Sequence, residues 1–399
     1  MNCRRRDAEI PLICILHNSR NEAIGQRVLI STRSRLAAVC VAARKPRELT
    51  GDTVAPEPEF DYFVYPRGFL SDGVAGFQAN DIGEPRPIEG TARSGRWSWP
   101  MRVTPDGEFL VVASIRPKRM YAYRIHGDGR LTSSSPVRSI PRGPVDLTFA
   151  PDSRHGYITL GFLRKAAVQN FTLDADGIIH LVGSPVMLGE RKDSFSTARV
   201  SPDGKNLYLG SYFRRELLRL PIGPDGTVDH VAQRIATGKA PLNPTPTPDG
   251  RFVYISNELS HSVSGYRVAE DGSLGELPGS PFPSGRLPHV IAITPDSRHV
   301  YVPNLGSTFL SCYEIEAEGR LRELAPAHFG DAKPEAAVSS PSGDTVWVFG
   351  NDDSRRGTRT VLRRYDVASD GTLTESLSLP LDLKAASGHS VVLAPRRRD

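Results

Sequence analysis

The chain has 399 residues, of which 39% are hydrophobic and 24% charged, with 36 Gly and 33 Pro. That composition calls for many turns, and no stretch reaches the 18 or more apolar residues of a membrane-spanning helix. The net charge of +5 is uneven, since residues 1–52 hold ten Lys or Arg against five Asp or Glu while the other 347 hold forty of each; a nucleic-acid footprint over the whole domain is thereby excluded.

Residues 1–52 form a basic extension whose apolar pieces are short and broken by Arg. The run LAAVCVAA is too brief and too far from the start for an ordinary secretion signal, so the segment reads as a disordered or targeting extension. Three of the four cysteines, Cys3, Cys14 and Cys40, lie there. The remainder keeps only Cys312, which excludes an internal disulfide, and the cysteine spacing matches no metal site. No metal and no cofactor are expected.

From residue 53 onward the chain repeats. FDYFVYPRGFLSDGVAGFQANDIG, residues 60–83, reads as the second, third and fourth strands of a unit that lacks its first. Full units follow. Each is marked by a turn at Pro105, Pro151, Pro202, Pro248, Pro295 or Pro341, with a degenerate copy at Pro395. The intervals are 46, 51, 46, 47, 46 and 54 residues. A second turn, Asp-Gly or Glu-Gly, comes about half a period later. Pro presets φ for a turn and Gly accepts a positive φ, so each marker is a hairpin by chemistry. Between markers, runs such as RFVYIS, RHVYVP and NLYLGS alternate with period two, and VSGYRV, LSCYEI and MYAYRI supply the next strand. A period near 46 with four strands is a propeller blade. The C-terminus ends on one further inner strand, GHSVVLAP. The fold expected is therefore an all-β, seven-bladed β-propeller over residues 53–399, its last blade closed by N- and C-terminal strands. Pairing the ends covers edges that would otherwise stay open.

Ring geometry then collects a site from scattered residues. The Pro-Asp-Gly turn joins the first two strands, so the start of the first and the end of the second share the opposite end. Strand entries there are Trp97, Trp99, Asp146, Asn243, Arg286, His289, Glu335 and His389. Strand exits are Arg116, Tyr212, Asn257, Glu258, Asn304, Asn351 and Asp352. Cations at 116–119, 163–165, 213–215 and 354–356, with Arg67, suggest a basic face suited to a phosphate or carboxylate.

The repeated PDGRFVYISN with SVSGYRV and GSPF resembles the YVTN-type seven-bladed propellers, and within them the lactonase family that includes bacterial 6-phosphogluconolactonase. IRPKRMYAYRI and SNELSHSVSGY are the closest stretches, and by that resemblance Arg116 and Glu258 carry over as site residues. Where the family has a Gly-Pro-Arg-His run, this chain has APLNP with Asn243; a His follows one blade later in GRLPH, as His289. The resemblance implies a metal-independent hydrolase opening a sugar or other small lactone at the channel mouth, a role in carbohydrate metabolism. Lactone opening needs activated water and an oxyanion donor. Glu258, His289 and Arg116 are the catalytic candidates; Arg286, Asn243, Asn257, Asn304 and Asn351 are the substrate-binding ones. A non-hydrolytic isomerase or cyclase, a binding scaffold with a basic face, and a calcium-assisted variant stay open beside it. The partner expected is a small lactone or anionic metabolite, with no nucleic acid and no membrane, for a cytoplasmic monomer, secretion being the alternative location.

Overall fold

The computed structural model describes residues 61–396 apart from 69, 91, 94–95, 162–164, 190–195, 353–358 and 384–390, and four short strands before them. The chain divides into two units, Met1–Glu57 and Pro58–Asp399. In the first, Cys14–His17 pairs with Ala23–Arg27 and Ile30–Thr32 with Arg35–Ala37. The reading of residues 1–52 as a disordered or targeting extension otherwise lies outside the described residues.

In the second unit, seven antiparallel sheets follow one another along the chain. Blades 1 to 6 span residues 96–139, 144–187, 196–236, 241–283, 292–328 and 333–381. Blade 7 joins the two ends. Val391–Pro395 is its inner strand, followed by Tyr62–Pro66, Phe77–Ala79 and Arg86–Pro87, with Val391 opposite Pro66. Its fourth strand thus lies just past the 60–83 stretch in which the sequence placed it.

Alternation along the strands decides the packing. Side chains on one face of a blade meet the next blade, so the buried apolar residues fall into seven clusters, each spanning one blade-to-blade interface. The blades carry two repeated tyrosine bonds. The second-strand tyrosines Tyr65, Tyr157, Tyr254 and Tyr301 donate to the carbonyls of Gly129, Gly226, Gly319 and Gly371 in the following blade, at 2.7, 2.8, 2.6 and 3.0 Å. The third-strand tyrosines Tyr123, Tyr266, Tyr313 and Tyr365 donate backwards, to the carbonyls of Arg93, Ala236, Pro283 and His328. Each such bond contributes about 0.5–1.5 kcal/mol, and each spares a buried hydroxyl the larger cost of having no partner.

The Pro-Asp-Gly turns form one rim of the ring. The Asp106 N–H donates to Ser153 Oγ in the next blade, and the Asp249 N–H to Ser297 Oγ. Thr104, Thr247 and Thr294 each donate to the aspartate two residues on, at 2.5 Å, and so fix the turn. The loops between second and third strands lie at the opposite end, the mouth rim. The inner strands run in the same direction at equal heights: the Asn243 N–H reaches Thr197 Oγ1 at 2.7 Å, and Val290 forms a parallel bridge with Ala336.

Candidate active site

Arg116, Tyr212, Glu258, Asn304 and Asn351 all lie at the second-strand exits or in the loops that follow, hence on the mouth rim. Glu258 opens a single turn of 3-10 helix, Glu258–Ser260, straight after the buried strand Phe252–Asn257. Its N–H donates to the Ala240 carbonyl at 3.0 Å, so the turn is anchored to the entry of the inner strand. The turn ends on His261, which has a left-handed φ of 54° and whose Nδ1 accepts the Leu287 N–H at 3.2 Å. The Glu258 carboxylate is half-buried and accepts a 2.7 Å hydrogen bond from Tyr212 in blade 3. Burial and the Glu258 carboxylate push the Tyr212 phenol upward, so it stays protonated and donating. The carboxylate is thus held by a neighbouring blade's tyrosine.

Two asparagines flank this turn. Asn257 is fully buried; its Nδ2 donates to Ser262 Oγ at 3.1 Å and Ser264 Oγ at 2.9 Å. Asn243 is also buried, at a bulge in the inner strand with φ 54°. In both, the Oδ1 is buried without a hydrogen bond among the described residues. Such an orphan costs about 1–3 kcal/mol and marks a place where folding alone does not explain the residue. Asn304 differs. Its Oδ1 accepts from Ser284, and its Nδ2 donates to the Phe309 carbonyl and Ser311 Oγ. These groups are used inside blade 5, so Asn304 clamps the third strand. The clamp needs glycine opposite: a Cβ on Gly238 or Gly285 would come within 2.6 Å of Asn257 or 2.5 Å of Asn304. Asn351 is half-buried at the end of Thr345–Asp352, opposite Lys333 and Thr360.

His289 and Glu335 form the second group. His289 is 8% and Glu335 5% exposed, and His289 Nδ1 lies 3.2 Å from the Glu335 carbonyl and 3.5 Å from its Oε1. With Nδ1–H donated to Glu335, Nε2 is the acceptor, which is the arrangement of an oriented base. The Ser256 hydroxyl donates to the His289 carbonyl at 2.6 Å, tying this pair to the Glu258 strand. Register aligns His289 with Glu335 and Leu242, and aligns Asn243 with Asp146, Thr197 and Val290. His289 therefore does not replace a histidine lost at Asn243; it occupies the neighbouring repeat position.

The other candidates are placed separately. Arg116 is exposed, with its guanidinium 5.4 Å from the Trp97 ring centroid, and among the described residues it makes no hydrogen bond or ion pair with Glu258 or His289. Trp97 is 42% exposed with φ 59°; Ala240 and Leu287, at the same repeat position, are left-handed too. Arg286 is exposed on the connection into blade 5, its N–H donated to Ser307 Oγ at 3.1 Å. Arg67 departs from the expected basic face, being fully buried and donating to the Ser98 carbonyl. His389, Arg164 and the cations within 354–356 lie outside the described residues, as does the side chain of Trp99.

Sequence reading missed Arg102 and Arg199. Both line the channel on inner strands, and the fully buried Asp146 holds them, Arg102 Nη2 at 3.0 Å and Arg199 Nη1 at 3.0 Å. Asp146 also accepts the N–H groups of Leu147 and Ala198, at 2.8 and 3.0 Å. Burial and Arg199 push Arg102 below the usual arginine range, while Asp146 pulls it back. Two cations thus share this carboxylate on the inner strands. The signal was present: MRVTPDG and ARVSPDG place Arg at the same repeat position, on the two blades that flank Asp146.

Residues 100–285 match the family model described as Lactonase, 7-bladed beta-propeller. The chain is 28% identical over 182 residues to the 6-phosphogluconolactonase of Pectobacterium carotovorum, covering 45% of this chain and 52% of that one. It is 26% identical over 212 residues to that of Erwinia tasmaniensis, covering 52% and 62%. It spans about half the length of the curated relatives it matches. In fold it is similar to a solved structure from Bacteroides uniformis described as a putative 6-phosphogluconolactonase, with a TM-score of 0.70, 17% identity and coverage of 84% and 100%. It is likewise similar to the periplasmic gluconolactonase of Pseudomonas aeruginosa, with a TM-score of 0.69, 17% identity and coverage of 84% and 99%. The chain is therefore a seven-bladed propeller whose residues 100–285 are similar to the lactonase family, and the matched segment contains both the Arg116 and the Glu258 stretches.

Proposed function

We propose that this chain is a lactonase-type hydrolase that opens a sugar lactone or another small lactone at the channel mouth. The observation that supports it most is the Glu258 turn: a half-buried carboxylate, oriented by Tyr212 through one oxygen, beside two asparagines with unbonded buried oxygens. In this reading Glu258 takes a proton from water as the water attacks the lactone carbonyl. The tetrahedral oxyanion, or an anionic substituent of the substrate, is held by Arg116 or Arg286. The ring C–O bond then breaks, and the departing oxygen takes from Glu258 the proton that the attacking water gave up, while His289, oriented by Glu335, accepts a hydrogen bond through Nε2. One water is consumed and one hydroxy acid formed. The similarity to proteins named 6-phosphogluconolactonase supports a sugar lactone as the substrate class, and the Arg102–Asp146–Arg199 level of the channel suits an anionic group. Among the described residues no helix is long and apolar enough to cross a membrane; our reading of a cytoplasmic monomer is decided by cell fractionation and light scattering.

The test is a panel of sugar lactones, phosphorylated and not, assayed with the wild type and Glu258→Gln in ¹⁸O-labelled water. Turnover with one ¹⁸O in the product, falling about 10²–10⁴-fold in Glu258→Gln with the fold intact, is the expected result. Product without solvent oxygen, or an unchanged rate in Glu258→Gln, refutes it.

A further inference from the structure

Blades 3 and 4 meet differently from the rest. Five blades pack an aromatic ring beneath the turn glycine of the next blade: Phe63 under Gly129, Phe109 under Gly177, His155 under Gly226, Phe252 under Gly319 and His299 under Gly371. In blade 3 the residue under Gly272 is Asn206, which fills less space. The tyrosine bond fails at the same seam. Tyr208 stands where Tyr157 and Tyr254 stand, yet its buried hydroxyl makes no hydrogen bond among the described residues. Among those residues the apolar cluster here is also the smallest of the seven, built on Tyr208, Leu217, Val253, Ile255, Tyr266 and Leu274. Blade 6 likewise lacks the ring, but there Asp81 of blade 7 fills the seam, accepting from Thr345, Ser342 and Tyr62. The space left between blades 3 and 4 is a cavity of about 710 Å³ on the turn rim, lined by Asn206, Tyr208 and Gly272 among others. That volume lies within the range of small-molecule sites.

We infer that this cavity is a second ligand site, away from the channel mouth, for a small neutral polyhydroxylated molecule of sugar or polyol type. Two buried donors are unspent in it. One is the Tyr208 hydroxyl, kept protonated because burial pushes its phenol up to about 12. The other is Arg219 Nε, whose Nη1 is already committed to Asn206 Oδ1 at 2.9 Å and the Asp271 carbonyl at 3.2 Å. The charges on the walls nearly cancel: Lys205, Arg219 and Arg251 oppose four carboxylates that include Asp249 and Asp271. A simple anion would meet the carboxylates and a cation the arginines, whereas hydroxyl groups exchange hydrogen bonds with both. Pro202, Pro221 and Val268 offer apolar surface to the ring or chain carbons.

The inference does not depend on the proposed hydrolysis, and calorimetric titration tests it without any turnover. The probes are glucose, maltose and myo-inositol, with inorganic phosphate as the anionic control; the variants are Asn206→Phe, which builds the ring that the other blades carry, and Tyr208→Phe. The expected result is saturable binding of a neutral probe by the wild type, lost in Asn206→Phe and weakened about 5-fold or more in Tyr208→Phe, each variant melting as a folded propeller. If Asn206→Phe does not fold, Tyr208→Phe, which removes a single oxygen, carries the test. Binding of phosphate alone, no binding of any neutral probe, or undiminished binding by both variants overturns the inference.

Discussion

Asp146→Ala is the most demanding test of how the channel is built. Asp146 is 0% exposed in its side chain, and its partners Arg102 and Arg199 are 14% and 21% exposed, so the cluster is largely shielded from water. The substitution removes acceptors for two guanidinium groups and for the N–H groups of Ala198 and Leu147, and takes from the two largely buried cations the carboxylate they share. Removing one partner of a buried ion pair costs about 3–5 kcal/mol, and the four lost bonds act as one network and do not add. We expect a loss of about 4 kcal/mol, which for a chain of this size lowers the Tm by on the order of 5 °C. Asp146→Asn keeps the shape and one acceptor oxygen and should lose about half as much. The measurement is thermal unfolding followed by circular dichroism, with chloride and sulfate added in parallel. An anion that enters the channel should recover part of the loss in Asp146→Ala and none in the wild type. A Tm change below 2 °C in Asp146→Ala would refute the reasoning, because it would mean that water already neutralises the arginines.

Two further outcomes follow from the same contacts. Tyr212→Phe deletes the donor to Glu258 Oε2; the carboxylate then loses its fixed orientation, so kcat/KM should fall roughly 10–100-fold, while the Tm barely changes. An unchanged kcat/KM would assign Tyr212 a structural role. At the seam of blades 6 and 7, burial raises the Asp81 carboxyl, but the hydroxyls of Ser342, Thr345 and Tyr62 outweigh it and hold it below the ordinary value. A depressed folded-state pKa gives stability that is present above the ordinary carboxylate range and lost as pH falls through the folded value. Hydrogen exchange should therefore show the strand Tyr62–Pro66 losing protection below about pH 4, an acid response that Asp81→Asn should remove.

The ring was legible because its turn chemistry is local. Pro-Asp-Gly, Asp-Gly and the period-two strands name their own conformations, and closure followed from a missing strand at one end and a spare one at the other. The contents of the mouth were less legible. Glu258 and His289 were found because both adjoin a recognisable phrase, whereas their holders, Tyr212 and Glu335, come from other blades, 46 residues away in each case. The asparagines read as substrate-binding groups, yet Asn257, with φ −106°, works as a clamp on the third strand. Asn243, at a strand entry, is left-handed. Arg102 and Arg199 went unnoticed since each looks like an ordinary strand arginine until Asp146 is placed between them. Burial explains Arg67 as well: a cation next to a proline reads as an exposed loop, but the closing of blade 7 on blade 1 encloses it.

The distribution of these departures has a physical logic. The turn rim repeats its bonds blade after blade, through threonine to aspartate and tyrosine to glycine, and that repetition holds neighbouring blades in register. A residue at the mouth rim does not carry those bonds and can differ between blades at little cost to the ring. Register shows what that freedom yields. One repeat position holds Leu242, His289 and Glu335 in three successive blades: the leucine is packed in the core, and the last two form the imidazole–carboxylate pair. The scaffold determines where each side chain stands and leaves its identity open, so chemistry arises where adjacent blades differ at equal height. The blade 3 to blade 4 seam extends the argument to the turn rim itself. There the repeat lapses at two positions together, Asn206 and Tyr208, and a cavity results. An accidental lapse would be expected to leave a seam that any apolar filling improves, so Asn206→Phe should raise the Tm; a built site predicts that the same substitution removes ligand binding, and the two measurements made on one variant separate them.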